Sequence, residues 1–113
     1  MAKSCKLVKD LSRAQEKDVL SRKDGKVRLV QFHSPWCEAC QETTPEVHKA
    51  NQELCGEAEV CRVDADTAGK VADSFGIKEI PTVAAIQDGK IKARVVGSNT
   101  ADAFVKLVRK LKK

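Results

Sequence analysis

The sequence predicts an α/β domain spanning residues 1–113, with a central mixed sheet of about five strands flanked by about four helices in the order βαβαβαββα. Three observations carry this expectation. Short apolar and β-branched runs alternate with longer amphipathic ones along the first part of the chain, the pattern of strands joined by crossover helices. Asp88-Gly89 stands between two strand-like runs, a strong hairpin signal. Phe104, Leu107, Val108 and Leu111 then recur at helical spacing and close the chain with an amphipathic helix.

In chain order, residues 5–8 read as a short edge strand. Asp10 or Ser12 is placed to cap a helix running to about Arg22, with Leu11, Val19 and Leu20 on its inner face. Lys23-Asp24-Gly25-Lys26 is a turn. Residues 27–33 contain Leu29, Val30 and Phe32 and suit a buried central strand. A second helix starts near Cys37 and runs to about Leu54, with Pro45 inside it. Residues 59–64 alternate as a strand, 67–75 form a short helix stopped by Gly76, and 81–86 and 90–96 pair across the Asp88-Gly89 turn. Thr100 caps the last helix.

Composition narrows the class. The net charge is +5, and part of it lies at Lys106, Arg109, Lys110, Lys112 and Lys113, a pattern that suits the C-terminal end of a helix dipole. Attraction to acidic partner proteins is the sharper alternative. Nucleic-acid binding is not expected, because the basic residues are not interleaved with aromatics. No apolar run reaches the length of a membrane span, so no membrane association is expected. The first ten residues carry no apolar leader, and a cytoplasmic location is the default expectation. Five cysteines cannot all pair within one chain, which argues for a thiol protein rather than a secreted disulfide framework.

The chemistry centres on Trp36-Cys37-Glu38-Ala39-Cys40, which follows an apolar strand and opens a helix. A Cys-x-x-Cys on a helix puts two thiols one turn apart on one face, close enough to join. The helix N-terminus presents unpaired N–H groups and favours an anion at Cys37. A thiolate is the nucleophile of disulfide exchange. The reading is therefore that Cys37 attacks a substrate disulfide and Cys40, one turn in, resolves the mixed disulfide. Two alternatives stay open at this level: half of a zinc site, and two inert core cysteines. The zinc reading needs a second pair, from Cys55 and Cys61 or His33 and His48, whose spacings match no common zinc module, so no metal is expected.

The chain resembles the thioredoxin family over nearly its whole length. The likeness rests on the Trp36–Cys40 motif, Pro45 eight residues after Cys37, Val63-Asp64-Ala65-Asp66, Ile80-Pro81-Thr82, Asp88-Gly89 and Val96-Gly97, in that order and spacing. The resemblance implies the thioredoxin fold and protein-disulfide reductase activity. It implies no bound cofactor beyond a redox-active Cys37–Cys40 disulfide. It implies disulfide-containing client proteins, recharging by an NADPH-dependent flavoprotein thioredoxin reductase, and a monomer. It also implies a cis Ile80–Pro81 bond facing the cysteine pair, and a substrate-binding surface made of Trp36, Ile80, Pro81, Val96 and Gly97. A weakly active binding or scaffold module on the same fold is the alternative.

Three departures from the family bear on activity. Gln31 stands where thioredoxins usually carry a buried aspartate, and an amide cannot act as a base. Either the mixed disulfide is released slowly, or water moves the proton in its place. Glu38-Ala39 replaces the usual Gly-Pro: Glu38 is either a solvated helix-start charge or a selector of partners. Gln31, Glu38 and Ala39 are thus candidate modulators of the site. His33 stands where an aromatic residue is common, and is read as filling that slot. Outside the motif, Cys61 is expected to be a buried strand residue. Cys55 is expected near a helix end, exposed to oxidation or dimerisation or without a role, and Cys5 is uninformative. Asp64 and Asp66 read as strand-end and loop polar residues.

Overall fold

The computed structural model describes residues 7–11, 13–66 and 69–111. The elements are β1 (Lys9–Asp10), α1 (Arg13–Leu20), β2 (Val27–His33), α2 (Glu38–Leu54), β3 (Glu59–Asp64), α3 (Gly69–Ser74), β4 (Thr82–Gln87), β5 (Lys90–Val96) and α4 (Ala101–Leu111). They form one sheet in the spatial order β1-β3-β2-β4-β5. β1, β3 and β2 run parallel, while β4 and β5 add antiparallel neighbours. This is the α/β order that the alternating pattern predicts.

β2 takes the centre because its side chains are apolar on both faces. Val30 and Phe32 join Cys61, Val63, Ala84 and Ile86 under Val19 and Leu20 of α1 and Ala72 of α3. Leu29 joins Val60, Val83 and Ala85 under Val47, Ala50 and Leu54 of α2 and Phe104, Val105 and Val108 of α4. Each such large aliphatic or aromatic side chain contributes about 1.5–3 kcal/mol on burial. By the same alternation Gln31 of β2 and Arg62 of β3 point to the α2 side, where both reach Thr44.

Several boundaries differ from the sequence expectation. The first strand is Lys9–Asp10 rather than residues 5–8, because the parallel ladder sets Lys9 opposite Cys61 and Asp10 opposite Arg62. Residues 5 and 6 lie outside the described residues, and so does Ser12, one of the two expected caps of α1; the other, Asp10, belongs to β1. The helix α1 stops at Leu20, not Arg22. The helix α3 is shorter than 67–75: residues 67 and 68 lie outside the described residues, and Phe75 and Gly76 form a turn with Ile77 N–H donating to Ala72 O at 2.9 Å. The strand β4 begins at Thr82 because Pro81 has no N–H to give the ladder.

The hairpin and the last helix follow their local signals. Asp88 and Gly89 both have positive φ, 53° and 79°, the primed turn that matches strand twist. A Cβ at Gly89 would sit 3.3 Å from Ser21 O, a second reason for glycine there. Thr100 Oγ1 accepts from Ala103 N–H at 3.4 Å, and Glu46 Oε1 of α2 accepts from Ala101 N–H at 3.0 Å. Among the described residues, no helix is long and apolar enough to cross a membrane. The C-terminal cations are partly paired: Lys106 with Asp102 at 3.1 Å and Arg109 with Glu57 at 3.1 Å.

Candidate active site

The strand β2 ends at His33, and Ser34, Pro35 and Trp36 turn the chain into α2. Cys37 is the N-cap of that helix, with extended backbone (φ −91°, ψ 109°). Its N–H donates to Ser34 O at 3.3 Å. Its Sγ takes the place that a serine or aspartate oxygen holds at other helix starts, and accepts Cys40 N–H at 3.1 Å. A sulfur so placed satisfies a helix N–H that has no partner within the helix itself, at the positive end of the dipole. The side chain is 7% exposed.

Cys40 lies one turn in and is 2% exposed. Burial, and then a hydrogen bond with the Cys37 thiol, push its pKa up to about 11. The Ser34 backbone and the Arg62 guanidinium act against that rise. Both thiols are free, so the structure is the dithiol form.

Beneath this pair lies a polar cluster. Gln31 is fully buried, and its Nε2 donates to Thr44 Oγ1 at 3.2 Å and, at 3.4 Å, to Cys40 O. Arg62 Nε donates to Gln31 Oε1 at 3.1 Å, and Arg62 Nη1 to Asp10 Oδ1 at 3.0 Å. Arg62 Nη2 reaches Thr44 Oγ1 at 3.4 Å and lies 3.5 Å from His33 Nδ1. Burial, and then the Arg62 charge, hold the His33 pKa below its usual value. Sequence reasoning singled out Gln31 and His33 but missed Arg62, Thr44 and Asp10. The available signal was a lone cation at an inward position of β3, and its meaning depends on which residue of β2 stands opposite.

The flanking residues divide by exposure. Trp36 is 68% exposed, so it is not a core residue, and its Nε1 donates to Asp66 Oδ2 at 2.6 Å. Asp66 thereby has a definite partner in the site. The Ile80–Pro81 peptide bond is cis. Pro81 is buried, Ile80 half-buried and Val96 51% exposed. Gly97 N–H donates to Pro81 O at 2.8 Å, which joins the two segments. Gly97 has φ 90° with open space where a Cβ would stand, so backbone conformation rather than crowding within the chain asks for glycine there. Ser98 Oγ donates to Ala39 O at 3.2 Å, tying the β5–α4 turn to the first turn of α2. Glu38 is exposed.

The remaining cysteines behave differently from one another. Cys61 is fully buried in the sheet core, and burial pushes its pKa up to about 12. Cys55, the left-handed C-cap of α2 (φ 36°), is half-buried and disulfide-bonded, not a free surface thiol. Cys5 lies outside the described residues. Among the described residues, no three His, Cys, Asp or Glu side chains gather as a metal site.

Comparison with known proteins agrees with this geometry. The thioredoxin family model matches residues 7–110. A Bacillus subtilis (strain 168) thioredoxin is 30% identical over 84 residues, covering 74% of this chain and 81% of that protein. An Arabidopsis thaliana protein disulfide isomerase-like 1-3 is 38% identical over 82 residues, covering 73% of this chain. The chain matches only 14% of that relative's length. Among solved structures, a mutant thioredoxin from Halobacterium salinarum NRC-1 superimposes with a TM-score of 0.79 at 26% identity, covering 100% of this chain and 96% of that one. The fold is thus a mixed sheet with two free thiols at the start of α2. The chain belongs to the thioredoxin family.

Proposed function

We propose that this protein reduces protein disulfides by dithiol–disulfide exchange at Cys37 and Cys40. The observation that supports it most directly is the Cys37 sulfur at the N-cap of α2, bonded to Cys40 N–H and in contact with the Cys40 thiol. Cys37 thiolate attacks one sulfur of the client disulfide, forms a Cys37–client bond and expels the other client sulfur as a thiolate, which takes up a proton. Cys40 then loses its proton and attacks Cys37. The Cys37–Cys40 bond forms, the Cys37–client bond breaks, and the second client thiolate leaves and is protonated. Two electrons pass from the dithiol to the client, and no further cofactor enters.

Trp36, Ile80, Pro81, Val96 and Gly97 make up the client-docking surface in this reading. In this reading Ile80, half-buried beside Pro81, pairs with an extended client segment as an added strand. Gln31, Glu38 and Ala39 adjust the exchange rather than carry it. The oxidised pair is recharged by an NADPH-dependent flavoprotein thioredoxin reductase, and the protein works as a monomer in the cytoplasm, where the thiol poise is reducing. A non-catalytic scaffold is the weaker reading, because both thiols are present, free and adjacent.

Trapping tests the roles. Incubation of Cys40→Ser with insulin is expected to accumulate a Cys37–client mixed disulfide, and Cys37→Ser to accumulate none. Wild type is expected to consume NADPH when coupled to a thioredoxin reductase. Equal trapping by both variants, or no NADPH consumption, overturns the assignment.

A further inference from the structure

We propose that Ser98 is a positioning residue for the attacking cysteine: its hydroxyl, donated to Ala39 O, polarises the Ala39–Cys40 peptide group, whose N–H is the donor that Cys37 Sγ receives. This rests on the exchange reading above and deepens its first step.

One peptide group carries both ends of the link. Ala39 C=O and Cys40 N–H are the two poles of a single resonant amide. At its oxygen, Ser98 Oγ stands 3.2 Å away and Thr43 Oγ1 2.8 Å. At its nitrogen, the N–H points to Cys37 Sγ at 3.1 Å. A donor at the carbonyl draws electron density from the amide nitrogen, so the N–H becomes a stronger donor, and bonds in such a chain reinforce one another. The chain ends on the sulfur that carries negative charge when it attacks. A donor fixed there beforehand lowers the cost of that charge.

The hydroxyls make this pull hard to avoid. Thr43 Oγ1 also lies 3.3 Å from Ser98 Oγ. With Ser98 donating to Ala39 O, the single Thr43 proton goes either to the same carbonyl or to Ser98 Oγ. The first choice adds a second donor, and the second strengthens Ser98 as a donor. Thr43 is fully buried, so water does not compete for its proton.

The place of Ser98 does not depend on its own bond. On one side Gly97 N–H donates to Pro81 O at 2.8 Å, and on the other Ala101 N–H donates to Glu46 Oε1 of α2 at 3.0 Å. The turn is held from both ends, and the exposed Ser98 brings its hydroxyl to the first turn of α2 from outside that helix. The residue next to the docking surface at Gly97 thereby touches the peptide that serves the nucleophile.

Two measurements test this. The nitrogen resonance of the Cys40 amide reports a hydrogen bond made at the preceding carbonyl. Equilibration with glutathione, in which one glutathione disulfide becomes two thiols as the Cys37–Cys40 bond forms, reports the stability of the reduced pair. In Ser98→Ala the Cys40 resonance is expected to move upfield, and the equilibrium to shift about twofold toward the Cys37–Cys40 disulfide. Adding Thr43→Val is expected to bring that shift to about fourfold. Ser98→Thr keeps the hydroxyl and is expected to return both readouts to wild type. The inference is overturned if Ser98→Ala leaves the Cys40 resonance in place, if it leaves the equilibrium unchanged, or if Ser98→Thr behaves as Ser98→Ala. Failure of wild type to exchange with glutathione at all would instead sink the exchange reading, and the Cys40 resonance would still decide whether Ser98 acts on that peptide.

Discussion

Trp36 and Asp66 are joined by a 2.6 Å hydrogen bond from indole to carboxylate, although the indole is 68% exposed. A large apolar ring held rigid at the surface loses little further entropy when a partner covers it. In Asp66→Ala the ring loses its tether. Fluorescence anisotropy of Trp36, the chain's one tryptophan, is expected to fall, and reduction of a protein disulfide to slow about threefold. Stability is expected to stay within about 0.5 kcal/mol, as for most surface changes. Unchanged anisotropy and rate would show that the bond does not organise the ring.

Gln31 sits where a base would be most useful to Cys40. Gln31→Asp places a carboxylate within the same cluster, opposite Arg62 in the strand register. Single-turnover release of the mixed disulfide is expected to accelerate by about an order of magnitude, the low end of general-base effects being larger still. No acceleration means that water already moves the proton efficiently.

Val96 is half-exposed beside Gly97, whose N–H is bonded to Pro81 O. A client segment lying there is expected to cover it. Val96→Asp should raise KM for a protein disulfide about tenfold, the scale of a lost interface anchor, and leave the rate with a small aromatic disulfide unchanged. Parallel losses with both substrates would place Val96 outside the docking surface.

Alkaline stability reports the buried thiols. The Cys61 pKa is raised to about 12 and that of Cys40 to about 11, above the value of 9.0 that the unfolded chain offers. Between pH 9 and 12 the unfolded state gives up protons that the folded state keeps. Stability is therefore full below the unfolded pKa and is lost as pH rises toward the folded values. Urea melts at neutral and alkaline pH check this. Cys61→Ala, which costs about 1 kcal/mol at neutral pH as a small cavity, is expected to flatten the alkaline fall. An equally steep fall in the variant removes Cys61 as its cause.

Acid stability involves a different pair. Arg28 is 3% exposed, and its Nη2 contacts Asp24 Oδ2 at 2.8 Å, with Glu59 3.7 Å from its Nε. The Arg28 hydrogen bond holds the Asp24 carboxyl well below the usual range. A depressed carboxylate stabilises the fold above its unfolded pKa and loses that contribution as pH falls through the folded value. Asp24→Asn leaves the buried guanidinium with one distant carboxylate, and Tm is expected to drop by on the order of 5 °C at neutral pH. The difference from wild type should shrink in acid. A constant difference across pH would rule out the ion pair as the source.

The site was half legible in the sequence. Cys37 and Cys40 are recognisable because their meaning is local: a strand ends, a helix begins, and spacing alone sets two sulfurs one turn apart. Gln31 stood out as a polar residue in an apolar strand. Arg62 did not, because a cation in an alternating strand looks like a solvated face until the opposing residue is known. Cys55 was expected to be exposed to oxidation or dimerisation or to have no role, and it is disulfide-bonded, because a position near a helix end does not say whether a thiol has a partner.

Alternation of period two and near four, a dipeptide turn and a cysteine pair at a helix start were enough to determine the element order, the mixed sheet and the placement of Cys37 and Cys40 one turn apart at the start of α2, because each signal depends on neighbours a few residues away. The bond from Arg62 to Gln31, the bond from Trp36 to Asp66 and the closure of Gly97 onto Pro81 were decided only by the tertiary structure. They join residues 16 to 31 positions apart, and strand register and loop docking, which local propensity does not encode, bring them within hydrogen-bond reach.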